Sequence, residues 1–144
     1  MKKFLIIVLL LLVVVIASLF IFITTSWDKD FEAPYPKITA STDSAVIARG
    51  AYLAYGPGHC AYCHIPAEKL PLMAAGERVP LSGGWEIDIP PGIFRAPNIT
   101  PDPETGIGNM TDEEIARALR YMVNHNNKFM LSVMEFTEMS DADI

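Results

Sequence analysis

Cys60-Ala61-Tyr62-Cys63-His64 sets two thiols three positions apart with an imidazole beside the second, and this stretch decides the fold expected of the chain. The pattern C-x-x-C-H is the attachment signature of a c-type haem. Its spacing has a physical reason. Two thiols so placed reach the two vinyl groups on one edge of the macrocycle, and the adjacent imidazole lies beneath the iron. The pattern points to one covalent haem c, bonded through Cys60 and Cys63 and ligated by His64. Other readings of the cysteine pair stand beside this one. A redox disulfide of the thioredoxin kind needs a βαβ context, which the prolines downstream oppose. A zinc site needs further ligands, yet there is no second cysteine pair, and His59, His64 and His125 are poorly spaced to supply them. An inert structural disulfide is compatible with an exported domain.

Working outward, residues 43–55 read as a helix capped near Asp43, with Val46, Ile47, Gly50, Leu53 and Ala54 on its apolar side and Gly56-Pro57-Gly58 at its end. Residues 65–109 carry Pro66, Pro71, Pro80, Pro90, Pro91, Pro97, Pro101 and Pro103. Proline removes a donor and clashes with the preceding turn, so the stretch is expected to be loop with room for one short hairpin. So long a loop in a compact domain normally wraps something. A second helix opens at Thr111, where Thr111 and Glu114 make a capping box. Ile115, Ala118, Leu119, Met122 and Val123 form its apolar face, and Asn124-His125-Asn126-Asn127 breaks it. Ser140-Asp141-Ala142-Asp143 reads as a further helix start. No internal repeat is visible.

An electron-transferring haem iron takes a sixth ligand, and a methionine thioether raises its potential. Met134 lies in a loop after the second helix, with Met130, Met139 and His125 as nearby competitors. Met73, Met110 and Met122 suit core positions, since methionine fills irregular gaps.

At the N-terminus, the run Phe4–Ile23 has Ser18 as its only polar member. As a helix at ~1.5 Å per residue it extends roughly 30 Å, the thickness of a bilayer's hydrocarbon core. Lys2 and Lys3 precede it, Asp28, Asp30 and Glu32 follow, and Trp27 sits at an interfacial position. The positive-inside rule then leaves the N-terminus in the cytoplasm and sends the rest across. A cleaved signal peptide is the rival, but it needs a shorter apolar core and a small-residue cleavage site. Both readings export the domain. The expected organisation is a transmembrane anchor over 1–27, a linker over 28–42 containing Pro34 and Pro36, and a haem domain over 43–144. The chain has 11 basic and 17 acidic residues, net −6, and two of the basic ones lie before the apolar run. The exported part is therefore strongly acidic, which argues against nucleic acid and anionic lipid as partners and suits a basic docking face.

The chain also resembles a known family, the class I cytochromes c, and among them the haem domains of membrane-bound dehydrogenase cytochrome subunits. The matching stretches are Arg49-Gly50-Ala51-Tyr52-Leu53, Cys60 to His64, Ser82-Gly83-Gly84, Ala96-Pro97-Asn98-Ile99-Thr100-Pro101-Asp102 and Thr105-Gly106-Ile107-Gly108. Thr111-Asp112-Glu113-Glu114 and Val133-Met134 with Phe136 complete them. The resemblance implies an all-α fold around haem, with Met134 as the axial ligand. It implies an electron carrier rather than an enzyme, working with redox partners: a dehydrogenase subunit or quinol-oxidising complex, an oxidase or another cytochrome. It places the haem domain on the periplasmic side of a bacterial inner membrane. The chain departs from the family at Glu135 and Ser132, where prolines usually flank the axial methionine, at Met110, usually tryptophan, and at Arg95, usually aromatic. Arg95 is a candidate partner for a haem propionate. A weakened Met134 loop would leave an open iron, and a haem enzyme or a gas- or peroxide-responsive protein is the alternative function. Family members close with a C-terminal helix crossing the first helix at a glycine such as Gly50. Here that helix begins at Ser140 and is expected to be cut short.

Overall fold

The computed structural model describes residues 1–144 except Trp27, Asp28, Pro91, Ser132 and Glu135. The interfacial role expected of Trp27 and the proline replacements at Ser132 and Glu135 lie outside the described residues. The chain is mainly helical: α1 Lys2–Ser26, α2 Ser44–Tyr55, α3 Cys60–His64, α4 Leu70–Ala74 and α5 Asp112–Tyr121, with a two-stranded antiparallel hairpin, β1 Glu86–Ile89 and β2 Gly92–Arg95.

Helix α1 is apolar enough and long enough to cross a membrane, with a mean hydropathy of 3.6 and no buried residue. Two of its hydroxyls are satisfied within the helix. The hydroxyls of Thr24 and Thr25 donate back to the carbonyls of Phe20 and Ile21 at 3.0 and 2.8 Å, as a hydrocarbon environment demands.

Asp43 caps α2, its carboxylate accepting from the amides of Ala45 and Val46 at 2.7 and 3.3 Å. Val46 and Ile47 are exposed, and a side chain at Gly50 would meet nothing within 4 Å. The apolar side of α2 is thus covered only towards its C-terminal end, where Leu53 and Tyr55 are half-buried.

The proline-rich stretch contains the hairpin, with Glu86 opposite Arg95 and Ile89 opposite Gly92. It also contains α4 and a 3-10 turn at Ala67–Lys69, which the proline count did not suggest. Pro71 is tolerated because it sits in the first turn of α4, where its missing amide has no partner to lose. Arg95 is ion-paired through Nε across the hairpin with Glu86 at 2.5 Å. The segment after the hairpin bonds to itself. Asp102 accepts from the Thr105 amide and hydroxyl at 2.7 and 2.9 Å and from the Glu104 amide at 3.0 Å. These donors hold its carboxyl below the usual carboxylate range.

The capping box of α5 forms as expected, Thr111 and Glu114 bonding reciprocally at 3.2 and 2.8 Å. The helix ends earlier than the asparagine run implies. Met122 turns left-handed (φ 58°), and a bridge between Val123 and Phe129 follows. Residues 28–42, read as a linker, are fastened to the domain at several points. The amide of Phe31 donates to Asn127 at 2.8 Å, that of Ala40 to the Asp112 carboxylate at 2.8 Å, and Asp30 pairs with Lys128 at 2.8 Å. Arg117, only 2% exposed, donates to the carbonyls of Ala33 and Phe31 at 3.0 and 3.3 Å. The segment is a strap along α5.

Candidate cofactor site

The motif helix is launched by a tight reversal. The Gly58 amide donates to the Leu53 carbonyl at 2.8 Å, and a Cβ at Gly58 would lie 2.8 Å from that same oxygen, so only glycine fits. His59 then takes a left-handed conformation (φ 55°) and opens α3. Cys60 and Cys63, three positions apart on this helix, share a face. Both are half-buried free thiols. Burial pushes the Cys60 thiol up from its ordinary value, and the nearby Cys63 adds to the rise.

His64 is 4% exposed and doubly held. Its carbonyl accepts from the Gly83 amide at 2.7 Å, and its Nδ1 lies 2.8 Å from the Pro97 carbonyl oxygen. A carbonyl can only accept, so the ring proton belongs on Nδ1 and the lone pair on Nε2. Among the described residues Nε2 has no hydrogen-bond partner. The Pro97 carbonyl is placed by lateral bonds that extend the hairpin, Ala96 to Trp85 at 2.9 Å and Gly84 to Ala96 at 3.2 Å. Gly83 permits this approach. It has φ 79°, and a Cβ there would lie 2.6 Å from the Ala96 oxygen and 2.8 Å from the Pro97 carbonyl carbon. Sequence reasoning quoted both residues but missed their job, because the group that orients His64 is a backbone oxygen. The Gly83-Gly84 pair facing a proline was the available signal.

Beneath the motif, Ala61, Ile65 and Val79 form a small core against Tyr55, Leu70, Met73 and Leu81. The Tyr55 hydroxyl donates to the Val79 carbonyl at 2.6 Å, tying the proline-rich stretch to the end of α2. Met73 and the buried Met122 take the core positions expected of them.

The structure thus gathers Cys60, Cys63 and His64 on one short helix. Met134 is half-buried on a separate segment that follows the Val123–Phe129 bridge. Of its competitors, Met139 lines a hollow of about 330 Å³ with Leu53, Pro57, Gly58 and Phe136, next to the start of α3. Met130 is pinned through its amide to the Met122 carbonyl at 2.8 Å. His125 is exposed.

The thiols are free, the described sheet is a lone antiparallel hairpin without a βαβ unit, and no three His, Cys, Asp or Glu side chains converge among the described residues. Two free thiols and a buried imidazole with Nδ1 already committed are the donor set a covalently attached haem requires, so the residues fit that group.

No model of a known protein family matches the chain. Comparison with curated proteins does find relatives. The chain is 39% identical over 105 residues to the cytochrome c subunit of a quinone-type alcohol dehydrogenase of Gluconobacter oxydans, a match covering 71% of this chain and 20% of that subunit. It is 31% identical over 105 residues to the cytochrome c subunit of gluconate 2-dehydrogenase of Pantoea cypripedii, covering 71% and 22%. A diheme c-type cytochrome of Cereibacter sphaeroides is 43% identical over 65 residues, covering 44% and 20%. The chain spans about a fifth of the length of the relatives it matches. With the motif helix and its buried histidine, these similarities make the chain a homologue of the cytochrome c subunits of alcohol and gluconate dehydrogenases.

Proposed function

We propose that the chain is a membrane-anchored c-type cytochrome with one haem c, passing electrons and doing no substrate chemistry of its own. The observation that carries this reading is the buried His64, its Nδ1 bonded to Pro97 and its Nε2 left to a metal, beside two free thiols on the same short helix. Haem, when bound, supplies a one-electron iron couple. Cys60 and Cys63 would hold it covalently, and His64 and Met134 would ligate its iron. The Pro97 carbonyl keeps the imidazole in one tautomer and raises its basicity. The polypeptide's own buried apolar core is thin, limited among the described residues to Ala61, Ile65, Val79, Ala116, Met122 and Val123. That supports a class I haem domain in which a large flat apolar group completes the packing.

Helix α1 anchors this domain on the periplasmic side of a bacterial inner membrane. The relatives' names support a partner of the dehydrogenase-subunit kind as donor, and a further haem protein or oxidase as acceptor. The acidic surface suits basic docking faces on either.

The test is expression with a cytochrome c maturation system. Membranes should carry a low-spin haem c stoichiometric with the chain, and His64→Ala should accumulate no stable holoprotein. A colourless protein with a Cys60–Cys63 disulfide would overturn the haem reading. A five-coordinate high-spin spectrum would replace the carrier by a peroxide- or gas-binding protein.

A further inference from the structure

We infer that Asn98 is a positioning residue for His64: its side chain, keyed by Thr105 and Asp102, holds the Pro97–Asn98 peptide so that the carbonyl meets Nδ1. The inference rests on the reading of His64 as the iron ligand.

The oxygen that orients His64 belongs to a loop, and a loop carbonyl is only as steady as its peptide plane. Pro97 steadies that plane by half, since its ring fixes φ but leaves ψ free. Asn98 stands on the other side of the plane. Its Oδ1 accepts from the Thr100 amide at 2.9 Å and from the Thr100 hydroxyl at 2.6 Å. Such a side-chain turn fixes the backbone of the asparagine itself. The Ile99 amide donates to the Leu81 carbonyl at 2.9 Å and ties the same turn to the segment ahead of the hairpin. Gly83 packs against the same peptide: a Cβ there would lie 2.8 Å from the Pro97 carbonyl carbon and 2.9 Å from the Asn98 amide nitrogen.

An asparagine side chain does this in only one of its two orientations, because the flipped group would set NH2 against the Thr100 amide. Thr105 selects the orientation. Asn98 donates from Nδ2 to the Thr105 hydroxyl oxygen at 2.9 Å, and that hydroxyl gives its single proton to Asp102 Oδ1 at 2.9 Å. The hydroxyl oxygen is therefore left as an acceptor, which suits an NH2 and not a carbonyl. The Asp102 carboxylate can only accept, and the amides of Thr105 and Glu104 fix it at 2.7 and 3.0 Å. Polarity thus runs one way, from Asp102 through Thr105 and Asn98 to the oxygen on His64. Thr105 is exposed and Asn98 half-buried. Water competes more for the outer bond than for the inner ones, so loss of the Asn98 side chain should matter most.

The experiment is nuclear magnetic resonance of the ferrous, 15N-labelled holoprotein, following the shift and solvent exchange of the His64 Nδ1 proton, with the reduction potential measured beside it. Asn98→Ala should speed that exchange about tenfold and move the proton upfield. It should also raise the potential, since a weaker bond at Nδ1 makes the imidazole a poorer donor to ferric iron. Thr105→Val should speed exchange about threefold, and Thr105→Ser, which keeps the hydroxyl, should match wild type. Asn98→Asp keeps the acceptor for Thr100 and loses the donor to Thr105. It should exchange like Thr105→Val, and with that variant it decides the question if Asn98→Ala gives no holoprotein. Asn109→Ala removes a bond to the Pro103 carbonyl at 2.7 Å in the same loop and should leave every readout unchanged. Wild-type exchange in Asn98→Asp and Thr105→Val refutes the role of Asn98 and leaves the ligand assignment standing. Equal acceleration in Asn109→Ala, or a serine variant that behaves like the valine one, reduces the network to general loop stability and refutes it too. Haem-shifted imidazole signals from a residue other than His64 refute the ligand assignment, and the inference with it.

Discussion

Arg117 and Arg120 stand three positions apart on α5, and each binds a segment that has no regular structure of its own. Arg117 holds the strap that precedes the domain; Arg120 holds the segment that follows Met134. Their surroundings differ sharply. Arg117 is fully buried, and among the described residues all its partners are neutral: the carbonyls of Phe31, Ala33 and Asn124, the side-chain oxygen of Asn127, the Tyr35 hydroxyl and the face of the Tyr35 ring at 4.6 Å. Arg120 donates to the carbonyls of Thr137 and Met139 and to the Asp141 carboxylate, and it keeps some water. A buried guanidinium without a counter-charge is tolerable only while nearly every donor is used, so the Arg117 clasp holds as a whole or fails as a whole. Arg120, partly solvated, can let go of its carbonyls at modest cost. One helix thus carries a permanent fastening and a reversible one.

The largest effect should come from breaking the permanent one. Arg117→Ala strips the carbonyls of Phe31, Ala33 and Asn124 of their donor, at about 1–3 kcal/mol for each acceptor left buried, and should lower the melting temperature on the order of 10 °C. Thermal unfolding of the holoprotein measures it, and proteolysis near Lys37 should become fast. Arg117→Lys should rescue little, because an ammonium cannot reproduce the fork. A loss no greater than that of Arg120→Ala would erase the distinction between the two clasps. A smaller effect is expected at the ring that roofs Arg117. Tyr35→Leu removes the cation–π contact and should cost about 1–2 kcal/mol in chemical denaturation. Tyr35→Phe should cost much less, since the hydroxyl bond is long at 3.4 Å.

The smallest effect belongs to the exposed pair Arg49–Asp143, at 3.0 Å. Arg49 and Ser140 hold the Asp143 carboxyl below the usual carboxylate range. A depressed carboxyl contributes above its unfolded value of about 4 and loses that contribution as pH falls through the folded one. Wild type and Asp143→Asn should therefore differ slightly in melting temperature at neutral pH and converge below about pH 4. A difference that persists in acid would show the pair acting by other means.

Local chemistry was well written in the sequence. Asp43 and the Thr111/Glu114 box announce the starts of α2 and α5 because caps are short-range. The residues proposed to attach haem stand out in the sequence because covalent chemistry dictates their spacing. Other features were not. Arg117 sits among apolar positions of α5 and reads as a surface residue; its carbonyl acceptors on the strap lie more than eighty positions away. Pro97 matters through an oxygen every residue possesses. The early end of α5 at Met122 reflects the pairing of Val123 with Phe129, a tertiary preference that no local signal carries.

The strap also shortens a leash. Phe31 is already fastened to the domain, so only Trp27 to Asp30 lie between it and Ser26, the last residue of α1. At ~3.3–3.6 Å per residue, that interval spans roughly 18 Å at full stretch. With α1 in the bilayer as proposed, the domain cannot sweep a hemisphere of periplasm as it would on the free coil that residues 28–42 suggest. It travels as a cap riding on the lipid surface, and its encounters become a two-dimensional search. A partner is then met by lateral diffusion within one thin layer, where confinement sets the effective concentration.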